Sequence, residues 1–271
     1  MKYMLITNDP SLAQHAERCG VGRIFIDLEY IGKKERQGHR DTLMSKHEIS
    51  DISLVKGALH DAELLVRVNP LYDGTPDEID AAIDAGADLL MLPMFESHDE
   101  LQRFATLVNN RIPVIPLVET SAAIQDIDNI VRVNGLEEIY IGLNDLHLDM
   151  GLKFMFEPLV NGLIDEAAHI ITSAGLPFGF GGIARVGEGI IPGEMVLGEH
   201  IRLGSSSVIL SRTFHRKSDG IEEFQANLDL QSELQKLNTV EITLQQRSEI
   251  ELLEDFQKLQ VVVKRFLENN V

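Results

Sequence analysis

Charged and amide side chains stand where short apolar runs stop in this 271-residue chain. Asp27 and Glu29 end RIFIDLE, Arg67 and Asn69 end LLVRVN, Glu119 ends IPVIPLVE, and Asn144 and Asp145 follow EEIYIGL. Two carboxylates brought side by side repel, so Glu119 and Asp145 together favour a shared hard cation, Mg²⁺ or Mn²⁺. A guanidinium at Arg67 would bind a carboxylate bidentately while such a cation polarised the adjacent carbonyl. Carboxylate beside carbonyl is the signature of a 2-keto acid. Its oxygens would chelate the ion, and the ion would stabilise the enolate formed when a proton or carbon fragment leaves C3.

Each residue also has a plainer reading. Arg67 could form a structural ion pair with Asp27 or Glu29, which is compatible with substrate binding. Glu119 could cap the helix beginning near Ser121, and Asp145 could make a turn. The glycines of GFGGIARVGEG suit a phosphate cradle or tight packing at a barrel rim. His39, His147 and His200 lack metal-ligand spacing, and a solvated or hydrogen-bonded state is the ordinary expectation for each. Cys19, the only cysteine, reads as a small packing residue.

The elements that must position these groups alternate regularly. Apolar, β-branched runs predict buried parallel strands at Tyr3–Thr7, Arg23–Leu28, Leu64–Val68, Leu89–Leu92, Ile112–Val118, Glu138–Gly142, Phe178–Gly181 and Ser207–Leu210. Amphipathic stretches between them predict helices at Ser11–Cys19, Ile49–Leu59, Asp77–Ala85, Asp99–Val108, Ala122–Val133, Glu157–Ser173 and Gly193–Leu197. Eight such alternations indicate an α/β (β/α)8 barrel over residues 1–216, with a doubly wound open sheet as the rival. Either way the carboxyl ends of the strands share one face, where sites are built.

Residues 217–271 carry no strand pattern and form a helical extension. Leu252, Phe256, Leu259, Val263 and Phe266 make a heptad-like stripe, and Ile221, Phe224 and Leu228 a shorter one. These stripes either cover the barrel wall or pack on another subunit, and a homo-oligomer is the expectation preferred here.

Composition bounds the partners. Lys and Arg number 24 against 43 Asp and Glu, a net charge of −19 that opposes nucleic acid and anionic membranes. No apolar run reaches the roughly 18 residues of a membrane span, and the start MKYMLITND lacks a signal-peptide pattern. A lone cysteine excludes an internal disulfide and fits a reducing cytoplasm.

The pieces IFIDLEY, LLVRVNP, AGADLLMLPMFES, IPLVET and IGLNDLHLDMG resemble the HpcH/HpaI aldolase and citrate lyase β-subunit superfamily, in the family's order over about residues 20–215. The resemblance implies a (β/α)8 barrel and a divalent ion on Glu119 and Asp145. It also implies a substrate-carboxylate arginine at Arg67, with Gly142 and Asn144 at the substrate. Members cleave or form carbon–carbon bonds through a pyruvate or acetyl-thioester enolate, and many are oligomers. Aldolases of the family carry a histidine right after the strand-two acid pair, where this chain has Tyr30. The lyase branch has DLED, close to the DLEY found here. The general base is therefore open among Asp27, Glu29, Tyr30 and His39.

The expected activity is a cytoplasmic, metal-dependent carbon–carbon lyase acting on a 2-keto acid, with Arg67, Asp27 and Glu29 as catalytic residues and an aldehyde as second substrate. The rivals are an acyl-CoA thioester lyase and a metal- and keto-acid-binding protein without turnover.

Overall fold

In the computed structural model, which describes residues 1–32, 47–214 and 220–269, eight parallel strands close into a barrel in sequence order. They are β1 (Lys2–Ile6), β2 (Arg23–Asp27), β3 (Glu63–Arg67), β4 (Leu89–Leu92), β5 (Val114–Val118), β6 (Ile139–Ile141), β7 (Phe178–Ile183) and β8 (Ser207–Leu210). β1 pairs with β8 as well as with β2, which excludes the open sheet. The strands run as expected to within about two residues at each end.

Alternation along each strand divides the core in two. Met4, Phe25, Leu65, Leu89, Met91, Ile115, Leu117 and Tyr140 pack inside the barrel, with Ile6 and Ile209 against them. Their neighbours, such as Leu5, Ile24, Ile26, Leu64 and Val66, face the surrounding helices. These are α1 (Pro10–Arg18), α2 (Ile49–Lys56), α3 (Thr75–Asp84), α4 (His98–Val108), α5 (Ser121–Gln125), α6 (Ile127–Ile130), α7 (Leu143–Asp149), α8 (Glu157–Val160), α9 (Leu163–Ser173) and α10 (Gly193–Leu203).

Four helices depart from expectation, the first being that predicted over Gly193–Leu197, which runs on to Leu203. The single helix predicted over Ala122–Val133 is broken at Asp126, whose carboxylate accepts from Asn129 Nδ2 at 2.6 Å and His98 N at 2.7 Å. The side chain has taken a capping role that competes with a continuous helix. The helix predicted over Glu157–Ser173 is likewise split, because Gly162 turns left-handed at φ 93° and starts α9. After β6, where a loop was expected, the motif LNDLHLD forms α7, so Asp145 lies in a helix and not at a strand end.

At the amino-terminal end the barrel is plugged by charge. Arg23 is fully buried; its Nη1 donates to Glu138 Oε1 at 2.9 Å and its Nε to Glu63 Oε2 at 3.0 Å. Ser207 Oγ donates to the same Glu138 oxygen at 2.9 Å, and Lys2 Nζ to Glu63 at 2.9 Å. The network thus joins the starts of β1, β2, β3 and β8 to Glu138, the residue before β6.

Beyond β8 come α11 (Ile221–Asn227), α12 (Leu230–Gln245) and α13 (Glu249–Asn269). The predicted stripe packs on this same chain: Leu259 and Val263 are buried, Phe266 stacks on Phe154 at 4.0 Å, and Phe256 lies under the Arg202 guanidinium at 4.2 Å. In the shorter stripe Phe224 and Leu228 are also buried. No helix among the described residues is long and apolar enough to cross a membrane.

His200, in α10, is fully buried, stacked on Phe180 at 3.8 Å and hydrogen-bonded through Nδ1 to Ser205 Oγ at 2.8 Å. Burial, and to a smaller extent the chain's amino terminus, lower its pKa from 6.5 to about 3. The unfolded chain therefore binds the extra proton between those values, and stability falls as pH drops through this window. Urea unfolding at about pH 7 and about pH 5 should show a loss on the order of 2 kcal/mol from this group, absent in His200→Gln. An equal loss in both proteins would remove His200 from the account.

Candidate functional site

At the carboxyl ends of the strands lies a cavity of about 200 Å³. Its polar lining is Arg67 from the end of β3, Glu119 just after β5, and Gly142, Asn144 and Asp145 at the start of α7. Phe25, Met91, Leu117, Leu143, Met155 and Ile209 supply apolar walls. The predicted carboxylate-binding and metal-binding positions are thus brought together, although Glu119 and Asp145 are 26 residues apart in the sequence. Folding of LNDLHLD into α7 carries Asp145 into the first helical turn beside Glu119's strand.

Glu119 is 2% exposed, and its Oε1 accepts from Met94 N at 3.2 Å. Met94 adopts φ 54°, a left-handed conformation that non-glycine residues reach at a cost and that is concentrated at functional sites. Gly142 presses on the other side of the same carboxylate. A Cβ there would stand 2.8 Å from Glu119 Oε2 and 2.9 Å from Glu119 Cβ, so only glycine fits. Glu119 does not cap the following helix; Thr120 does, accepting from Ala123 N at 3.1 Å.

Arg67 forms the ion pair expected as its plainer role. Its Nε and Nη2 donate to the two Asp27 oxygens, each at 2.8 Å, and Nη2 lies 3.4 Å from Glu29 Oε2. The guanidinium also stacks 5.5 Å above Phe25. Burial works to lower the Arg67 pKa, but Asp27, Glu29 and Glu119 outweigh it and raise the value, so the charge is permanent. Asp27 and Glu29 are themselves buried, against Arg67 and outside the cavity lining.

Other candidates fall away from the cavity. Tyr30 is 69% exposed and lines a separate hollow with His47, Asn69 and Glu78. Asn69 organises that region: its Oδ1 accepts from Tyr30 N at 2.9 Å and Ile31 N at 3.0 Å, and its Nδ2 donates to Glu78 at 2.7 Å. His39 lies outside the described residues. His147 is buried in α7, not solvated, and its Nδ1 has no hydrogen-bond partner among the described residues. Arg185, which follows the glycines of β7, pairs with Glu188 at 2.5 Å and is outside the cavity lining. Among the β7 glycines Gly179 serves packing, since a Cβ there would stand 2.1 Å from Ser207 Oγ, whereas Gly181 and Gly182 line the cavity.

Sequence reasoning passed over two residues near the site. Tyr140 lines the cavity; its hydroxyl donates to Gly181 O at 2.7 Å and accepts from Ile209 N at 2.9 Å. Burial raises its pKa well above the usual phenol value, so it stays protonated. Its alternation within IYI was the available signal. His47 is the second, held at the end of β2 where Asp27 N donates to its Nδ1 at 3.0 Å. It stands far along the chain from β2, and no spacing announces it.

As a metal site the donor set is two carboxylates; among the described residues no group of three or more His, Cys, Asp or Glu could hold an ion. That is too few for structural zinc, which takes four protein ligands, and suits Mg²⁺ or Mn²⁺, which keep several waters or substrate oxygens. Glu119 and Asp145 would be its protein ligands.

Comparison with known proteins agrees with this architecture. The hydroxypyruvate/pyruvate aldolase of Agrobacterium fabrum is 30% identical over 145 residues, 42% of this chain and 53% of the relative. The chain thus spans about half the length of the curated relatives it matches. Among solved structures, an HpcH/HpaI aldolase/citrate lyase family protein from Burkholderia cenocepacia superposes with a TM-score of 0.62 at 17% identity, covering 87% of this chain and 94% of that one. CitE of Mycobacterium tuberculosis, in complex with magnesium, acetoacetate and coenzyme A, gives 0.58 at 14% identity over 97% and 87%. The profile of the HpcH/HpaI aldolase/citrate lyase family matches residues 3–180, and the chain belongs to that family.

Proposed function

We propose that this protein is a divalent-metal-dependent carbon–carbon lyase acting on a 2-keto acid through a pyruvate-type enolate. The observation that carries the reading is one small cavity lined by Arg67, Glu119 and Asp145. Relatives named hydroxypyruvate/pyruvate aldolase support a short oxo-acid substrate, and the magnesium in the CitE complex supports a hard cation. A bound Mg²⁺ or Mn²⁺ would polarise the keto oxygen and stabilise the charge that develops when the bond at C3 breaks.

The chain's own residues do the rest. Arg67 meets the substrate carboxylate with the guanidinium edge that Asp27 does not occupy. Asp27 and Glu29 act through Arg67, fixing its plane and its charge. Gly142 and Asn144 border the substrate, and Gly142 leaves Glu119 room to reach it. Apolar walls exclude water from the reacting carbon. Tyr140, protonated and bonded on both sides, shapes the wall and moves no proton.

An aldehyde is the proposed second substrate. Tyr30 in the place of the aldolase histidine, together with the coenzyme A of the CitE complex, favours an acyl-CoA thioester as the second reading. A cytoplasmic homo-oligomer is part of the proposal, with exposed Ile242, Ile250, Leu253 and Val261 on α12 and α13 as apolar surface for a second copy.

The test is proton–deuterium exchange at the pyruvate methyl group, followed by NMR with and without Mg²⁺ or Mn²⁺. Metal-dependent exchange is the expected result. Pyruvate that binds without exchanging would move the assignment to the thioester reaction or to binding without turnover. In the same assay Arg67→Ala should weaken pyruvate about a hundredfold and leave metal affinity unchanged. Equal pyruvate affinity in variant and wild type would refute the role given to Arg67.

A further inference from the structure

Glu119 and Asp145 reach the cavity from two segments that are fastened to one another at two points. The first fastening is the sheet. Val118 pairs with Ile141, and Gly142 N donates to Val118 O at 2.9 Å, so the segments are joined ahead of each carboxylate. The second lies beyond the carboxylates and is made by a side chain. Asp149 Oδ2 accepts from Ser121 N at 2.6 Å and from Ser121 Oγ at 2.5 Å. Ser121 opens α5, two residues after Glu119, and Asp149 closes α7, four residues after Asp145.

Four residues make about one helical turn, so Asp145 and Asp149 share a face of α7. The face that carries Asp145 to the cavity thereby carries Asp149 to Ser121. Leu143, Leu146 and His147 are buried on the opposite face. At seven residues α7 is too short to hold its own shape, and the Ser121 contact ties its carboxyl-terminal end to the segment bearing Glu119. That segment is itself laced to the turn after β4. Met94 N donates to Glu119 Oε1 at 3.2 Å, and Thr120 Oγ1 donates to Phe95 O at 2.9 Å.

Asp149 is exposed and stands outside the cavity lining, so it is not placed to bind an ion there itself. Water competes for its hydrogen bonds, and their net contribution to folding is small. The spacing of two carboxylate ligands, by contrast, matters directly to a small cation that demands near-ideal geometry.

We propose that Asp149 is a positioning residue: by clamping Ser121 it sets the spacing of Glu119 and Asp145 for Mg²⁺ or Mn²⁺. The clamp rests on the metal assignment above and adds to it a side chain that touches neither ion nor substrate.

Titration of the full chain with Mn²⁺, followed by electron paramagnetic resonance, tests the clamp. Asp149→Ala should weaken Mn²⁺ binding about tenfold or more, the usual cost of losing a partner behind a metal ligand. Asp149→Asn keeps an acceptor oxygen without the charge and should stay within about threefold of wild type. Ser121→Pro removes both donors from the other side. Proline is favoured at the first position of a helix, and Thr120 before it is already extended at φ −117° and ψ 149°. This variant should match Asp149→Ala, and the two changes together should weaken Mn²⁺ no further than either alone. Melting temperatures without metal should fall by no more than about 4 °C in each. A larger fall would make the contact structural and overturn the proposal. Asp149→Asn as weak as Asp149→Ala would assign the effect to charge and overturn it too. So would additive losses in the double variant, or wild-type affinity in Asp149→Ala. A wild type that binds no Mn²⁺ would instead overturn the metal assignment, and the clamp with it.

Discussion

Glu119→Gln and Asp145→Asn are each expected to abolish divalent-cation binding and to cut metal-dependent pyruvate exchange by about a thousandfold or more. Each exchange removes one of the two charged donors in the cavity, and an amide oxygen replaces a carboxylate only poorly for a hard cation. Folding should survive, because both changes are isosteric and Glu119's acceptor contact with Met94 N can be kept by the amide oxygen. Titration with Mn²⁺ followed by electron paramagnetic resonance reads the first effect, and thermal unfolding without metal the second. Mn²⁺ affinity equal to wild type in both variants would refute the metal assignment. Loss of binding together with collapse of the melting transition would instead mark the pair as structural.

The largest stability effect is expected at the floor of the barrel. Arg23→Met leaves Glu138, 4% exposed, without its cationic partner, and removing one member of a buried ion pair costs about 3–5 kcal/mol. Glu63 contributes less to the loss because its side chain is 36% exposed and can hydrate. The informative comparison is the double variant Arg23→Met, Glu138→Met. Replacing both charges with apolar groups of similar length should recover most of the loss, since the penalty is the uncompensated charge. Urea unfolding of the two proteins decides it. A double variant as unstable as the single one would mean that the network's hydrogen bonds, Ser207's included, carry the stability themselves.

The fold was legible because the physics that closes a parallel barrel writes itself into consecutive residues. VIPLV, LLML and SVIL are strands buried on both faces, and nothing in their tertiary surroundings competes with that pattern. The cavity's polar residues were legible for a related reason. Arg67, Glu119 and Asn144 interrupt apolar runs, and only the mouth of a barrel accommodates such interruptions cheaply. What the sequence concealed depends on contacts between distant segments. Nothing near Arg23 announces Glu138, and nothing near Asp126 announces the His98 amide that breaks the helix. Asp145 lines the same cavity as Glu119, but through a helix that a seven-residue motif is too short to reveal by periodicity. Asp27 and Glu29, at the end of β2 and just after it, were expected as catalytic groups; what the sequence did not show is that both carboxylates lie against Arg67, Asp27 across the β2–β3 pairing.

The ionic floor built on Arg23 has a kinetic consequence. With buried Arg23 and Glu138 filling that end among the described residues, the cavity at Glu119 and Asp145 lies toward the carboxyl ends of the strands, and both substrates of the proposed reaction would share that approach. In the proposed reaction a keto acid held at Arg67 and at the carboxylates would occupy the deepest position, and the second substrate would arrive above it. Ordered addition is then expected in the synthetic direction, keto acid first, with an inert analogue of the second substrate acting uncompetitively toward the keto acid.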